Sequence, residues 1–522
     1  MKPVAFPSQG DLLKFFYNAT GLIPTKGEEI LDISIKPKSL HKNLKRLAEE
    51  KECNFLENFN HYSEEIFSSL TSLVVEEKFK KIIVNPIVEL FKGYLRIILQ
   101  EHTFLNKKQN IENLIERFIV DIARLCFPSE IYYKYLLNDS YPEAPDLLGW
   151  LDNSEKNPLV HAMTWIYDSE KITYQTFHQL DDVDQTDKDL NNVKNWLTGK
   201  VQLPSTSQIL STFHRAFKKQ RINTKLADTY TLFLLIARFL TYCSNILSST
   251  YGDSFKTRYI GLFIQAYSAV KRDFLILFEE PIKELNSMSL EEKEFFLTEL
   301  LIAYDQRCHK NLLEMQEKFT VRQLLELWIP KDKPYHSATV RIHRYLGLTG
   351  KAEKIMKPLE ENIENMIHGY QLIKGSESNY EVWLEQYNRV NNDSLSPWLK
   401  NWVDAVFLFE HKEYSQSLEN MRSAFDTIRY TAANKMIEFL ESYMIISLLV
   451  DNKRGWKDFK RAFKWGVFMN NFGDLKPFYL VSEETEIRSI FEEKLIVISK
   501  FENIRDLKTL AKLVFHFPYS ST

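Results

Sequence analysis

Residues 190–217 read LNNVKNWLTGKVQLPSTSQILSTFHRAF, and the organisation of the chain is inferred outward from them. Three apolar side chains have helical spacing and predict one buried helix face: Val193, Trp196 and Leu197. Gly199 can adopt the left-handed conformation that ends a helix, and Pro204 prevents its continuation. Ser205 and Gln208 form a capping-box pattern, which begins the next helix. The stretch therefore predicts two helices joined by a tight corner.

The spacing W-L-x-G-x-x-x-x-P-S, which begins at Trp196, resembles the end of the DNA-binding module of Cro/repressor-type regulators. The resemblance covers about residues 172–217. It implies a recognition helix over residues 187–197 whose outward side chains read bases: Asn191, Asn192, Lys194 and Asn195. It also implies that four following cations hold the nucleic-acid backbone: Arg215, Lys218, Lys219 and Arg221.

A group of carboxylates departs from that family pattern. Five aspartates lie just before or within the expected recognition helix: Asp181, Asp182, Asp184, Asp187 and Asp189. Because duplex affinity comes largely from neutralising phosphates, these carboxylates oppose binding. An ordinary corner in a helical protein is the alternative interpretation of the whole stretch.

The composition favours a large helical protein. The 522 residues exceed what one compact core accommodates, so several domains or a repeat array are expected. Only 15 residues are glycine, which favours helices joined by short turns. The formal net charge of −3 gives no chain-wide attraction to nucleic acid or acidic lipid, so any basic site must be local. We predict an all-α fold.

Proline-rich stretches divide the chain. Residues 127–157 carry Pro128, Pro142 and Pro145, and residues 329–335 carry Pro330 and Pro334; both stretches are predicted to be irregular. The predicted segments are an N-terminal helical region at 1–127, a central helical domain at 158–328 and a C-terminal helical domain at 336–522. Residues 30–35 alternate in polarity and predict an isolated strand.

The C-terminal segment contains FEHKEYSQSLENMRSAFD at residues 409–426. With Tyr414 and Ala424 at their expected positions, it resembles a tetratricopeptide (TPR) repeat hairpin, and a looser similarity covers about residues 391–472. Ser417 stands where alanine is usual, and no clean copy follows at the 34-residue period. The resemblance implies a multi-helix array of helical hairpins, a TPR-like solenoid.

A basic helix is predicted in the same region. Its cations fall mainly on one helical face: Lys453, Lys457, Lys460, Arg461 and Lys464. Asp458 is the only acid between Lys453 and Lys464. Such a face can bind nucleic acid, an acidic protein partner or an anionic membrane surface. The alternative is a solvated face above buried aromatic residues.

Local catalytic motifs are absent from the sequence. Residues 346–352, LGLTGKA, lack the spacing and final hydroxyl of a phosphate loop, and no H-E-x-x-H or G-x-S-x-G motif occurs. We expect no metal and no cofactor, although a site assembled from distant residues stays open. Four separated cysteines and no signal-peptide pattern predict a cytoplasmic protein: Cys53, Cys126, Cys243 and Cys308. The apolar residues 230–247, which Arg238 interrupts, predict a buried helix rather than a membrane span.

These observations give two hypotheses. The first is a non-enzymatic scaffold or regulatory protein whose helical hairpins bind a protein or peptide partner. The alternative is a nucleic-acid-binding regulator that uses residues 187–221.

Overall fold

The computed structural model describes residues 5–22, 37–48, 55–74, 126–137, 143–152, 156–318, 397–432, 435–450 and 453–473, with single positions in 84–124 and 369–387. The structure is 84% helical, and the residues it describes contain no strand. The all-α prediction is therefore confirmed. The strand predicted at 30–35 and the boundary predicted at 329–335 lie outside the described residues.

Sixteen α-helices have defined bounds in the described part of the chain. In chain order they are α1 (Gln9–Thr20), α2 (Pro37–Ala48), α3 (Phe55–Thr71), α4 (Leu147–Asp152), α5 (Pro158–Glu170), α6 (Tyr174–Phe177), α7 (Val183–Leu197), α8 (Thr206–Lys219), α9 (Thr224–Tyr251), α10 (Asp253–Leu277), α11 (Glu279–Glu284), α12 (Leu290–Lys318), α13 (Pro397–Glu410), α14 (Tyr414–Ile428), α15 (Lys435–Leu449) and α16 (Lys453–Gly473). A π-helical turn spans Tyr133–Leu137, and a 3-10 turn spans Leu285–Ser287.

Helix ends follow the local sequence. The Ser289 side chain and backbone N–H both donate to the carboxylate of Glu292, at 2.7 and 2.8 Å, and this capping box begins α12. The prediction that residues 127–157 are irregular is wrong at residues 127–137 and in α4, both of which are helical. There Phe127 and Trp150 are buried in a core, and this packing outweighs the nearby prolines.

Both ends of the described chain share one hydrophobic core, here called the terminal core. It unites α1–α3 with α13–α16. The Phe59 and Phe468 rings meet edge to face with centroids 6.1 Å apart. The backbone N–H of Gln9 donates to the Tyr430 hydroxyl at 3.1 Å. The first and third segments predicted from the sequence thus contribute to the same core.

A second hydrophobic core, the central core, is built from residues between Val74 and Tyr304. α9 lies within it, with the Trp165 ring 5.4 Å from Tyr230 and 5.2 Å from Phe233. By length and composition alone, α9 is the one helix in the described part of the chain that could span a membrane. A core helix of a soluble protein passes the same test, and α9 buries Leu232, Leu234 and Ala237 in this core.

A buried arginine joins the two cores. Arg238 on α9 is 5% exposed and donates to the backbone carbonyl oxygens of Pro204, at 3.0 Å, and Ala19. Burial lowers the pKa of its guanidinium to about 10. Next to it, the N–H of Thr206 donates to the Gly21 carbonyl at 3.1 Å. The C-terminal end of α1 and the start of α8 are thereby held against the same position on α9, Arg238.

Candidate functional site

The first candidate site is the corner between α7 and α8, and its local structure is as predicted. Val193 and Trp196 are 0% and 3% exposed, and the third predicted residue, Leu197, is only partly buried against the same core. Gly199 has φ +72°, and its N–H donates to the Trp196 carbonyl at 3.1 Å, which ends α7. The Ser205 hydroxyl accepts the N–H of Gln208 at 3.1 Å and begins α8. The corner is therefore part of the central core.

The residues expected to read bases are unequally placed. Asn191 and Lys194 are exposed on α7, whereas Asn192 and Asn195 are half-buried. Among the expected phosphate-binding cations, Lys218 and Arg221 are exposed. The other two, Arg215 and Lys219, form ion pairs with aspartates.

The ion pair of Arg215 on α8 with Asp189 on α7 is a structural contact between the two helices. Its Nε lies 2.9 Å from Asp189 Oδ2, and its Nη2 lies 2.7 Å from Oδ1. Asp189 is fully buried and also accepts from the Gln185 side chain at 2.8 Å. This two-pronged geometry fixes α8 against α7, because a buried carboxylate needs a charged partner. Arg215 is thus engaged within the fold.

The remaining aspartates surround the N-terminal end of α7. Asp182 caps the helix by accepting the N–H of Gln185 at 3.1 Å. Asp181 pairs with Lys219, yet its side chain is 90% exposed. Asp184 and Asp187 are exposed on the first turns. A recognition helix meets base edges with its N-terminal residues. The negative charge at this end of α7 would therefore repel the phosphates of a duplex.

A histidine beside the corner was missed by the sequence analysis. His178 follows α6, is fully buried, and lies with Nε2 3.0 Å from the Tyr167 hydroxyl. Its Nδ1 has no hydrogen-bond partner among the described residues. Burial lowers the pKa of His178 to about 4; the Asp189 carboxylate opposes this shift and the Arg215 guanidinium adds to it. Nothing in the local sequence distinguishes His178 from a surface histidine.

The second candidate site is the basic face of α16. Lys457 is exposed, and Lys460 and Lys464 are half-buried at i+3 and i+7 from it, so the three lie on one helical face. The Lys460 ammonium lies 5.4 Å from the centre of the Trp456 ring, a cation–π contact. These three residues are called the lysine stripe below. The side chain of Lys453 lies outside the described residues.

Arginines on the flank of α16 form ion pairs with acidic residues of α14. Arg461 Nη2 lies 2.7 Å from Asp426 Oδ1, and its guanidinium lies 4.6 Å from the Phe425 ring centre. Arg454 pairs with Glu419 at 3.3 Å. Arg461, a predicted binding residue, therefore uses its guanidinium to contact α14.

Asp458, the only acid between Lys453 and Lys464, points inward. It is buried and accepts from Arg422 Nε at 2.7 Å and from the Tyr443 hydroxyl at 3.0 Å. Burial is the main cause that raises the pKa of Tyr443, and the neighbouring Asp458 carboxylate adds to it. The hydroxyl therefore stays a donor, and the Asp458 carboxylate faces α14 and α15 instead of the lysine stripe.

The pairs between α14 and α16 also define how the two helices run. Three ion pairs join them in increasing order along both: Glu419–Arg454, Arg422–Asp458 and Asp426–Arg461. The helices are therefore parallel, with α15 between them in sequence. This arrangement corresponds to two consecutive hairpins, α13–α14 and α15–α16. The second helices of the hairpins, α14 and α16, are called the outer helices below, and they meet along the row of ion pairs.

Small residues allow the helices of each hairpin to approach. Ser417, near the start of α14, is fully buried and donates to the Ala405 carbonyl of α13 at 2.7 Å. Gly455, near the start of α16, has so little space that an added Cβ would lie 2.4 Å from the carbonyl oxygens of Ser447 and Val450. Each hairpin thus carries a small residue close to the start of its second helix.

Comparisons with family models, curated proteins and solved structures return no match. The described residues contain no group of three or more histidine, cysteine, aspartate or glutamate side chains that could hold a metal ion. The two thiols that the structure describes, Cys126 and Cys243, have pKa values raised to about 11 and about 12 by burial, so they are poor nucleophiles at neutral pH.

Proposed function

We propose that this protein is a non-enzymatic scaffold that binds an acidic segment of a partner protein through the lysine stripe on α16. The observation that carries the proposal is that Lys457, Lys460 and Lys464 share one face of α16, while Asp458, the only acid in that helix, points inward. Such a positive face attracts carboxylates and steers their approach.

The finer arrangement, a TPR-like solenoid, belongs to the same proposal. Two consecutive hairpins, parallel outer helices and a small residue at the start of each second helix support it. Hairpin arrays of this kind present long, rigid surfaces to peptides. A cytoplasmic location is part of the proposal and accords with the separated cysteines of the sequence.

Affinity capture with full-length protein tests the proposal. The wild type is compared with a variant that carries Lys457→Glu, Lys460→Glu and Lys464→Glu. A matched control reverses three exposed lysines elsewhere: Lys188→Glu, Lys194→Glu and Lys218→Glu. We expect the stripe variant to lose its acidic partner while keeping a wild-type circular dichroism spectrum, and the control to retain it. Equal capture by all three proteins would contradict the proposal.

Nucleic-acid binding through α7 and α8 is the second proposal. The exposed Asn191, Lys194, Lys218 and Arg221 favour it, and the four carboxylates at the start of α7 oppose it. The same control variant separates the two functions, because it removes three cations from this surface. Nucleic acid that copurifies with the wild type, dissociates at high salt and is lost in the control variant would favour the second proposal.

A further inference from the structure

α12 carries apolar side chains on the face that points away from the protein. Phe295 is 69% exposed and Ile302 is 45% exposed, whereas Leu297 and Leu300 on the opposite face are 0% and 8% exposed. Phe295 and Ile302 are seven residues apart and so share one helical face. Large apolar side chains exposed together in this way are typical of an interaction surface.

Carboxylates lie between and beside these apolar residues. Glu292 and Glu299 are exposed and share the face of Phe295 and Ile302 by their helical spacing. Glu292 is kept ionised by two hydrogen bonds from Ser289, which lower the pKa of its carboxyl. Residues 290–304 contain four glutamates and a single lysine, Lys293, which is half-buried and lies opposite Phe295 by its helical spacing. The surface is therefore both apolar and negatively charged.

We propose that this face of α12 docks an amphipathic helix of a partner protein whose apolar residues are flanked by lysine or arginine. Apolar anchors would pack on Phe295 and Ile302, and the cations would pair with Glu292 and Glu299. A second copy of the chain that packed through the same face would place like charges opposite each other, and nucleic acid or anionic lipid would be repelled. The surface is separate from the lysine stripe and takes a partner of the opposite charge.

The test uses full-length protein and a fluorescent helical peptide of leucine and lysine, with leucines at i, i+3, i+4 and i+7. A second peptide has glutamate in place of every lysine. Anisotropy should show saturable binding of the lysine peptide that weakens with salt and no comparable binding of the glutamate peptide. Equal binding of both peptides, or no saturable binding of either, would overturn the proposal.

Variants locate the binding. Phe295→Ser with Ile302→Ser should raise the Kd for the lysine peptide at least tenfold, and so should Glu299→Lys, which keeps the apolar residues. Val183→Ser on α7 is the control, since Val183 is 71% exposed and distant in sequence. Unchanged affinity in the α12 variants would refute the site. Sedimentation gives a separate check: a wild-type dimer that the double substitution dissociates would mean that a second copy occupies the face, and the proposal would be wrong.

Discussion

Arg422 on α14 donates its Nε–H to Asp458 on α16 across 2.7 Å, and the two side chains are 17% and 9% exposed. This pair has two consequences. It joins the outer helices of consecutive hairpins, and it withdraws the only acid from the basic face of α16. The packing of the C-terminal region and the charge of its candidate binding surface therefore depend on the same contact.

Replacing Asp458 should strongly destabilise the protein. Asp458→Ala leaves the Arg422 guanidinium largely buried without its carboxylate, and breaking a buried pair in this way costs about 3–5 kcal/mol. Urea unfolding of the wild type and the variant measures the loss. Asp426→Ala is the control, because its side chain is 57% exposed and its pair with Arg461 should contribute no more than about 1 kcal/mol. Similar losses in both variants would contradict the assigned role of Asp458.

Replacing glycine with alanine should have opposite effects on stability at Gly455 and Gly261. α15 and α16 approach closely at Gly455, whereas the space beside Gly261 in α10 is open. Gly455→Ala forces a Cβ to within 2.4 Å of two carbonyl oxygens and should destabilise by about 1–3 kcal/mol. Gly261→Ala, inside α10 with no atom within 4 Å of the added Cβ, should stabilise by about 0.5–1 kcal/mol. Thermal unfolding of the wild type and the two variants measures both changes in stability. A stabilising Gly455→Ala would mean that the hairpin is packed differently.

Trp196 is expected to be the main apolar anchor of the corner between α7 and α8. Trp196→Ala removes a side chain that is 3% exposed in the central core and should lower the free energy of unfolding by about 3–5 kcal/mol. Asn191→Ala, on the exposed face of the same helix, should change it by less than about 0.5 kcal/mol. An unchanged unfolding midpoint for the tryptophan variant would place Trp196 in a binding role instead.

Local features were predictable where a single residue type settles the backbone. Gly199 adopts its left-handed conformation, Ser205 caps α8, and Trp196 is buried, all of which follow from spacing and turn chemistry. The functional surfaces were only partly predictable. Helical spacing places Arg461 near the lysines, yet its partner Asp426 is 35 residues earlier in the chain.

Contacts between distant residues account for what the sequence did not reveal. The five aspartates were predicted to act together against a duplex, but Asp189 is buried against Arg215, which lies 26 residues later in the chain. The shared core of the two chain ends has the same origin, since contacts such as Phe59 with Phe468 have no signature within either segment. Periodicity identifies a buried face and does not identify what covers it.

His178 should make stability depend on pH below neutrality. Its pKa in the folded protein, about 4, is lower than its ordinary value of 6.5, so the unfolded chain binds the proton more tightly between these values. Stability is therefore fully present above about pH 6.5 and is lost as the pH falls towards 4, by roughly 3 kcal/mol in total. His178→Gln removes this titration. Urea unfolding at pH 7 and pH 4.5 should show a smaller difference for the variant than for the wild type, and equal differences would contradict the assignment.

The most direct test of the proposed function is lysine footprinting of full-length protein, with and without its captured partner. An acetylating reagent modifies accessible lysines, and mass spectrometry gives the reactivity of each. The account predicts that the partner protects Lys457, Lys460 and Lys464 and leaves the exposed Lys194 and Lys218 unchanged. Protection of Lys194 and Lys218 with an unprotected lysine stripe would contradict it and would place binding at the corner between α7 and α8.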